Sequence, residues 1–253
     1  MPSATRIQLC GRVAVEIGGR RLEAELPGRQ GRLAFVHLAL NRGRTLTRGE
    51  LALALWPDEA PAHAESNLRV VLSRLRRVLG SDALAGRGDL RLVLPAGAWV
   101  DTEVAAVKIH EAETAVHGKD WSRALPAASI AYAISGRGFL PGEEAPWVVE
   151  QRGWLEDVHL RALECDGAAS LGIGGSELAA AERDARRLVR LAPYRESGYR
   201  LLMETLERRG NRAEALLVYE RLRTVLRDEL GSAPGPQSQA LHARLLGPPR
   251  GPA

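Results

Sequence analysis

The chain has 253 residues, 45% of them hydrophobic and 26% charged, with a formal net charge of +4. That is long enough for two modest domains and apolar enough for packed cores, which excludes a wholly disordered chain. The charge is unevenly held: residues 1–100 carry 15 Arg against 9 acidic side chains, and residues 101–253 carry 20 Lys or Arg against 22 acidic ones. A basic first part and a slightly acidic second part suit a polyanion and protein partners respectively. Lys occurs only at Lys108 and Lys119, so the positions of the arginines carry the argument and not their number.

The first 26 residues alternate as short strands do. Ile7 and Leu9 share a face, then Val13, Val15 and Ile17 after Gly11, and Leu22, Ala24 and Leu26 before Pro27. Gly18-Gly19 between the last two sets suits a tight hairpin turn. A three-stranded antiparallel sheet is expected. Helices follow. The first runs from Gln30 to Asn41, with Leu33, Val36, His37 and Leu40 on one side; Gly43 closes it. Thr47 and Glu50 have the spacing of a capping box for a second helix through Leu55, stopped by Trp56-Pro57.

The third helix, starting near Ala62–Glu65, contains SNLRVVLSRLRRVLG at residues 66–80. On a 3.6-residue period Leu68, Val71, Leu72, Leu75 and Leu79 fall on one side. Ser66, Asn67, Val70, Ser73, Arg74 and Arg77 lie around the other, flanked by Arg69 and Arg76, and no acid interrupts that face after Glu65. Guanidinium groups suit phosphates and guanine edges, and an amide suits adenine. A solvated amphipathic helix is the plainer reading of the segment taken alone. Beyond Gly80, ALAGRGDLRLVLP offers two short strands around Gly86-Arg87-Gly88-Asp89. Sheet, three helices and basic hairpin is the order of a winged helix-turn-helix, with the third helix as reader and the hairpin as wing.

From Val100 the pattern is helical, with helices expected at about 102–117, 120–135, 145–171, 177–191, 195–209, 211–230 and 236–246. SGRGFLPGEEAPW, residues 135–147, is a loop feeding the third of these. Ala181, Ala185 and Leu188 recur 34 residues later as Ala215, Tyr219 and Leu222, with Tyr199, Leu202 and Leu206 in the helix between. That period matches tetratricopeptide repeats, whose helix pairs must stack to bury their faces. Met203 stands where the repeat usually has a small residue, and a further copy at Ala124 and Ala128 is out of phase. The fold class expected is thus mainly α with a small β part.

Enzyme chemistry finds no support. Cys10 and Cys165 do not make a disulfide framework, and no metal spacing surrounds them. His110 and His117 sit two turns apart on one helix, too far apart to argue for a metal. GIGGSEL lacks the Lys-Ser/Thr of a phosphate loop, and no nucleophile elbow or HExxH occurs. Trp56, Trp99, Trp121, Trp147 and Trp154 read as packing residues. With no apolar signal core and no run near about 18 apolar residues, the expectation is a cytoplasmic protein, nucleoid-associated where the winged part binds DNA, with no catalytic residues, metal, cofactor or membrane partner.

LTRGELALALWPDEAP, SNLRVVLSRLRRVLG, Asp101 and EALLVYERLRTVLRDELGSAPGPQSQALHARLL together resemble the actinobacterial SARP family of antibiotic regulatory proteins. The most specific part is Asp228, Glu229, Leu230, Gly231 and Pro234-Gly235-Pro236. The resemblance covers about residues 5–247 and is to the short members, without room for an ATPase module or sensor domain. It departs from the family at PAGAWVD, where Trp99 is the only aromatic, at Val104 and Val107, where a Phe is usual, and at the glycine-rich GIGGSE.

The resemblance implies an OmpR-type winged helix-turn-helix over residues 1–98, a bacterial transcriptional activator domain over 99–247, and a flexible tail, 248–253. It implies an activator that binds promoter direct repeats in double-stranded DNA as a homodimer and recruits RNA polymerase with its sigma factor. The reading helix then transfers to Ala64–Leu79. Asn67, Val70, Ser73 and Arg74 are its candidates for base edges, and Arg69, Arg76 and Arg77 for phosphates. Arg87 and Arg91 would bring the wing to a minor groove, although Arg91 also reads as an exposed strand residue. Thr47 and Arg48 open the second helix, where backbone N–H groups favour a phosphate; Thr47 also reads as a simple N-cap. The rival is a repeat scaffold whose winged part binds protein, which would not need an unopposed arginine face.

Overall fold

The structure, a computed structural model, describes residues 5–58, 61–80 and 82–247; the expected tail at 248–253 lies outside the described residues. The fold is mainly helical with two small sheets. The chain forms two compact units, Met1–Ala105 with Ile134–Glu156 and Ala106–Ala133 with Asp157–Ala253. The stretch 134–156, expected in the helical part, clusters with the N-terminal residues.

In the first unit β1 (Arg6–Gln8), β2 (Ala14–Ile17) and β3 (Arg20–Arg21) pair antiparallel, with Ile7 opposite Val15 and Glu16 opposite Arg21. Gly18 and Gly19 take φ of 61° and 80° at the turn, which a side chain would resist. The expected third strand through Leu26 is corrected to Arg20–Arg21. Leu22 and Leu26 are buried but Ala24 is exposed, so the alternation fails after Leu22. The Val15 N–H here goes to the Glu23 carboxylate at 3.3 Å, and Leu22 N–H goes to the Val15 carbonyl.

A fourth strand, β7 (Trp99–Val100), joins parallel to β1, with Ile7 opposite Val100. Directly after it Asp101 opens α4 (Asp101–His117), and its fully buried carboxylate accepts the N–H groups of Leu9 and Cys10, each at 2.9 Å. Burial pushes this carboxyl above the ordinary aspartate range, and the two N–H groups oppose that rise.

Helix α1 (Gly28–Leu40) differs from the one-sided stripe expected. Leu33, Ala34, Phe35 and Val36 are all buried, a full turn, because α1 lies at the centre of the unit with neighbours around it. Helices α2 (Arg48–Leu55) and α3 (Ala64–Leu79) pack on it. The wing sheet has the order β4 (Leu46–Thr47), β6 (Asp89–Leu92), β5 (Leu84–Ala85).

Residues 134–156 are tied into this unit by several bonds. Gly11 N–H donates to the Gly138 carbonyl at 2.8 Å, Arg29 Nε donates to both Glu143 oxygens, and Trp147 Nε1 donates to the Ala54 carbonyl at 2.9 Å. The Trp147 ring meets His37 and Phe139 edge-on.

The second unit is built on α5 (Trp121–Ser135), α6 (Pro146–Ile173), α7 (Leu178–Leu191), α8 (Glu196–Arg208), α9 (Arg212–Leu230) and α10 (Pro236–Leu246). The period-34 residues of α7, α8 and α9 are all buried, and Met203 is buried among them. Gly172 lets α6 approach α5: a Cβ there would lie 2.3 Å from the Trp121 ring. Glu196 holds the start of α10, accepting the Gly235 N–H and the Ser238 hydroxyl. Cys10 and Cys165 are free and buried. Among the described residues no helix is long and apolar enough to cross a membrane, and no group of three His, Cys, Asp or Glu could hold a metal ion.

Candidate nucleic-acid interface

Helix α3 sits on the core through Leu68, Leu72, Leu75 and Leu79, all buried. Four leucines at three- and four-residue spacing hold one face inward, so the other face must be solvent-facing. Asn67, Arg69, Val70, Ser73, Arg74 and Arg77 are all exposed. Val71, expected on the inner stripe, is only half-buried at its margin.

Arg76 is different from its neighbours. It is half-buried and its Nε donates to the Leu84 carbonyl at 3.3 Å, with Nη2 on the Gly86 carbonyl. It therefore braces the wing against the helix. The wing turn itself needs Gly86, where φ is +85° and a Cβ would lie 1.7 Å from the Asp89 carbonyl oxygen. That turn leaves Arg87 exposed at the tip and Arg91 exposed on β6.

At the start of α2 the capping box is complete. Thr47 Oγ1 accepts the Glu50 N–H at 3.1 Å, and Glu50 Oε2 accepts the Thr47 N–H at 2.7 Å. The Thr47 N–H, then Arg44, pull the Glu50 carboxyl down to about 2. The hydroxyl and the charge at this helix end are thus already engaged. Arg48 pairs with Glu65 at 2.7 Å and donates to the Arg87 carbonyl at 3.4 Å, joining α2, α3 and wing. That joint was not foreseen. Its signal was Glu65, the one acid beside an otherwise basic face.

The electrostatic pattern follows. In this unit Arg20, Arg21, Arg29, Arg42, Arg44 and Arg48 each face a carboxylate. Arg6 lies 4.3 Å over the Trp99 ring. Arg69, Arg74, Arg77, Arg87 and Arg91 have no acidic partner among the described residues, and all are on α3 or the wing. Arg12 and Arg32 also face no carboxylate among the described residues, and they line a different cleft, beside Val13 and Leu140. All five tryptophans are partly buried, in line with packing.

The fold is a three-helix winged unit whose third helix bears exposed arginines, followed in sequence by stacked helix pairs, and the proteins it is similar to are transcription regulators. The sequence profile of the bacterial transcriptional activator domain matches residues 100–246. The chain belongs to that family and is a SARP-type regulator. It is 35% identical over 250 residues to the regulatory protein AfsR of Streptomyces coelicolor, covering 96% of this chain but 24% of AfsR. To the transcriptional regulator RedD of the same organism it is 29% identical over 218 residues, covering 83% of this chain and 61% of RedD. The chain thus spans only about a quarter of AfsR. A solved structure of Mycobacterium tuberculosis EmbR, in complex with a low affinity phosphopeptide, superposes with a TM-score of 0.84 at 24% identity, covering 96% of this chain and 65% of that one. That likeness is one of fold.

Proposed function

We propose that this chain is a sequence-specific transcriptional activator that binds direct repeats in promoter DNA and recruits RNA polymerase with its sigma factor. The observation that carries the reading is the set of five uncommitted arginines on α3 and the wing, in a unit whose other arginines are mostly paired. Unpaired like charges gathered on one face repel each other, and a polyanion removes that cost. The expected division of labour puts DNA reading in residues 1–98 and contacts with a second protomer and polymerase in residues 99–247. On DNA, Asn67, Val70, Ser73 and Arg74 would meet base edges, Arg69 and Arg77 would lie near phosphates, and Arg87 and Arg91 would bring the wing to a minor groove. Arg48 and Arg76 act in this reading as braces that hold helix and wing together, and Thr47 as a cap.

Five arginines near phosphates or bases imply a log–log slope of affinity against salt of about −4 per protomer. Fluorescence anisotropy on promoter fragments between low and physiological salt measures it. A nearly salt-independent affinity would overturn the electrostatic argument and favour a protein-binding winged unit.

A further inference from the structure

Val70 is 47% exposed, and among the described residues of α3 it is the exposed large apolar side chain. On a 3.6-residue turn it lies opposite the buried row Leu68, Leu72, Leu75 and Leu79. Asn67 and Arg74 flank it on one side and Ser66 and Ser73 on the other, all exposed. Val70 is not one of the buried residues that seat α3 on the core. The core face is complete without it, and a β-branched residue is a poorer helix former than the alternatives a solvated face allows.

Resting on the DNA-binding reading above, we infer that Val70 is a specificity residue that packs against the C5 methyl group of a thymine in the major groove. In that groove the thymine methyl is the one apolar feature a base pair offers, and short apolar side chains are its natural contact. The polar groups around Val70 hold to the neighbouring base edges and phosphates, which keeps water from the methyl contact. A hydrocarbon contact of this size is worth about 0.8 kcal/mol per buried carbon, or about four-fold in affinity.

The test uses the full chain. Duplexes are enriched from a randomised pool, and each thymine of the enriched sequence is replaced singly by uracil, which removes the methyl and leaves pairing and charge unchanged. One thymine per repeat should weaken binding about four-fold when replaced. Val70→Ala, checked by circular dichroism, should bind the thymine duplex about four-fold less tightly and be indifferent to that uracil. Val70→Ile should stay sensitive. A flat uracil scan with wild type, or equal uracil sensitivity in Val70→Ala, overturns the methyl contact while leaving DNA binding intact. Failure to enrich any sequence overturns the DNA reading and this inference with it.

Discussion

Arg74 and Arg76 stand two positions apart on one helix, yet the structure gives them different surroundings. Arg74 is exposed, with no acidic partner among the described residues, whereas Arg76 donates to carbonyls of the wing. Arg74→Ala should leave the melting temperature unchanged and cost about 1–3 kcal/mol on the best DNA sequence, with less loss on random DNA. Arg76→Ala should lower thermal stability by about 1 kcal/mol, because two carbonyls lose their donor, and weaken binding to both DNAs through a misplaced wing. Paired melts and anisotropy titrations measure both. If the two variants melt alike and lose the same affinity on both DNAs, the roles given to them are wrong.

At the scale of the element, α1 is the centre of the first unit, and its one histidine is half-buried His37. Burial, then the nearby Arg44, push its imidazole down to about 4 from the ordinary 6.5, with Glu50 opposing. The unfolded chain therefore binds more protons between about pH 6.5 and 4, so His37 contributes stability above 6.5 that is lost as pH falls toward 4. The loss is at most about 3 kcal/mol, reduced by the partial exposure of the ring. Asp101 and Asp184, whose carboxyls burial raises, act in the opposite sense, so the difference between wild type and His37→Gln is the quantity to follow. Wild type should lose more stability than the variant between pH 7 and 4.5 in denaturant titrations. Equal losses would mean that the imidazole is not held neutral.

For the whole molecule, the first compact unit is not a contiguous stretch of sequence. A chain ending at Ala98 lacks the Asp101 carboxylate under β1, the Glu143 partner of Arg29, and Trp147 with its bond to Ala54. It also uncovers Cys10 and α1 where Phe139 and Trp147 meet them. Such a chain should melt at a lower temperature, or less cooperatively, than one ending after Glu156, and bind DNA more weakly. Circular dichroism melts and gel shifts on single and double repeats compare them. Equal stability of the two chains would show that residues 1–98 fold unaided.

Much of the architecture was legible in the sequence because local rules act within a few residues. The leucine spacing and the Gly80 break put a helix from near Ala62–Glu65 up to Gly80, and α3 runs over Ala64–Leu79. The Thr47–Glu50 spacing foretold a complete capping box, and the 34-residue period foretold which side chains of α7, α8 and α9 are buried. What only the tertiary structure decided depends on partners far apart in sequence. The parallel β1–β7 pair, the Asp101 carboxylate under Leu9 and Cys10, and the return of residues 134–156 to the N-terminal unit leave no periodic trace in either partner. The same holds for the arginines. Their helical phase shows which can face outward, but whether each is free or engaged depends on which carboxylates and carbonyls the fold brings beside it, as it does for Arg48 and Arg76.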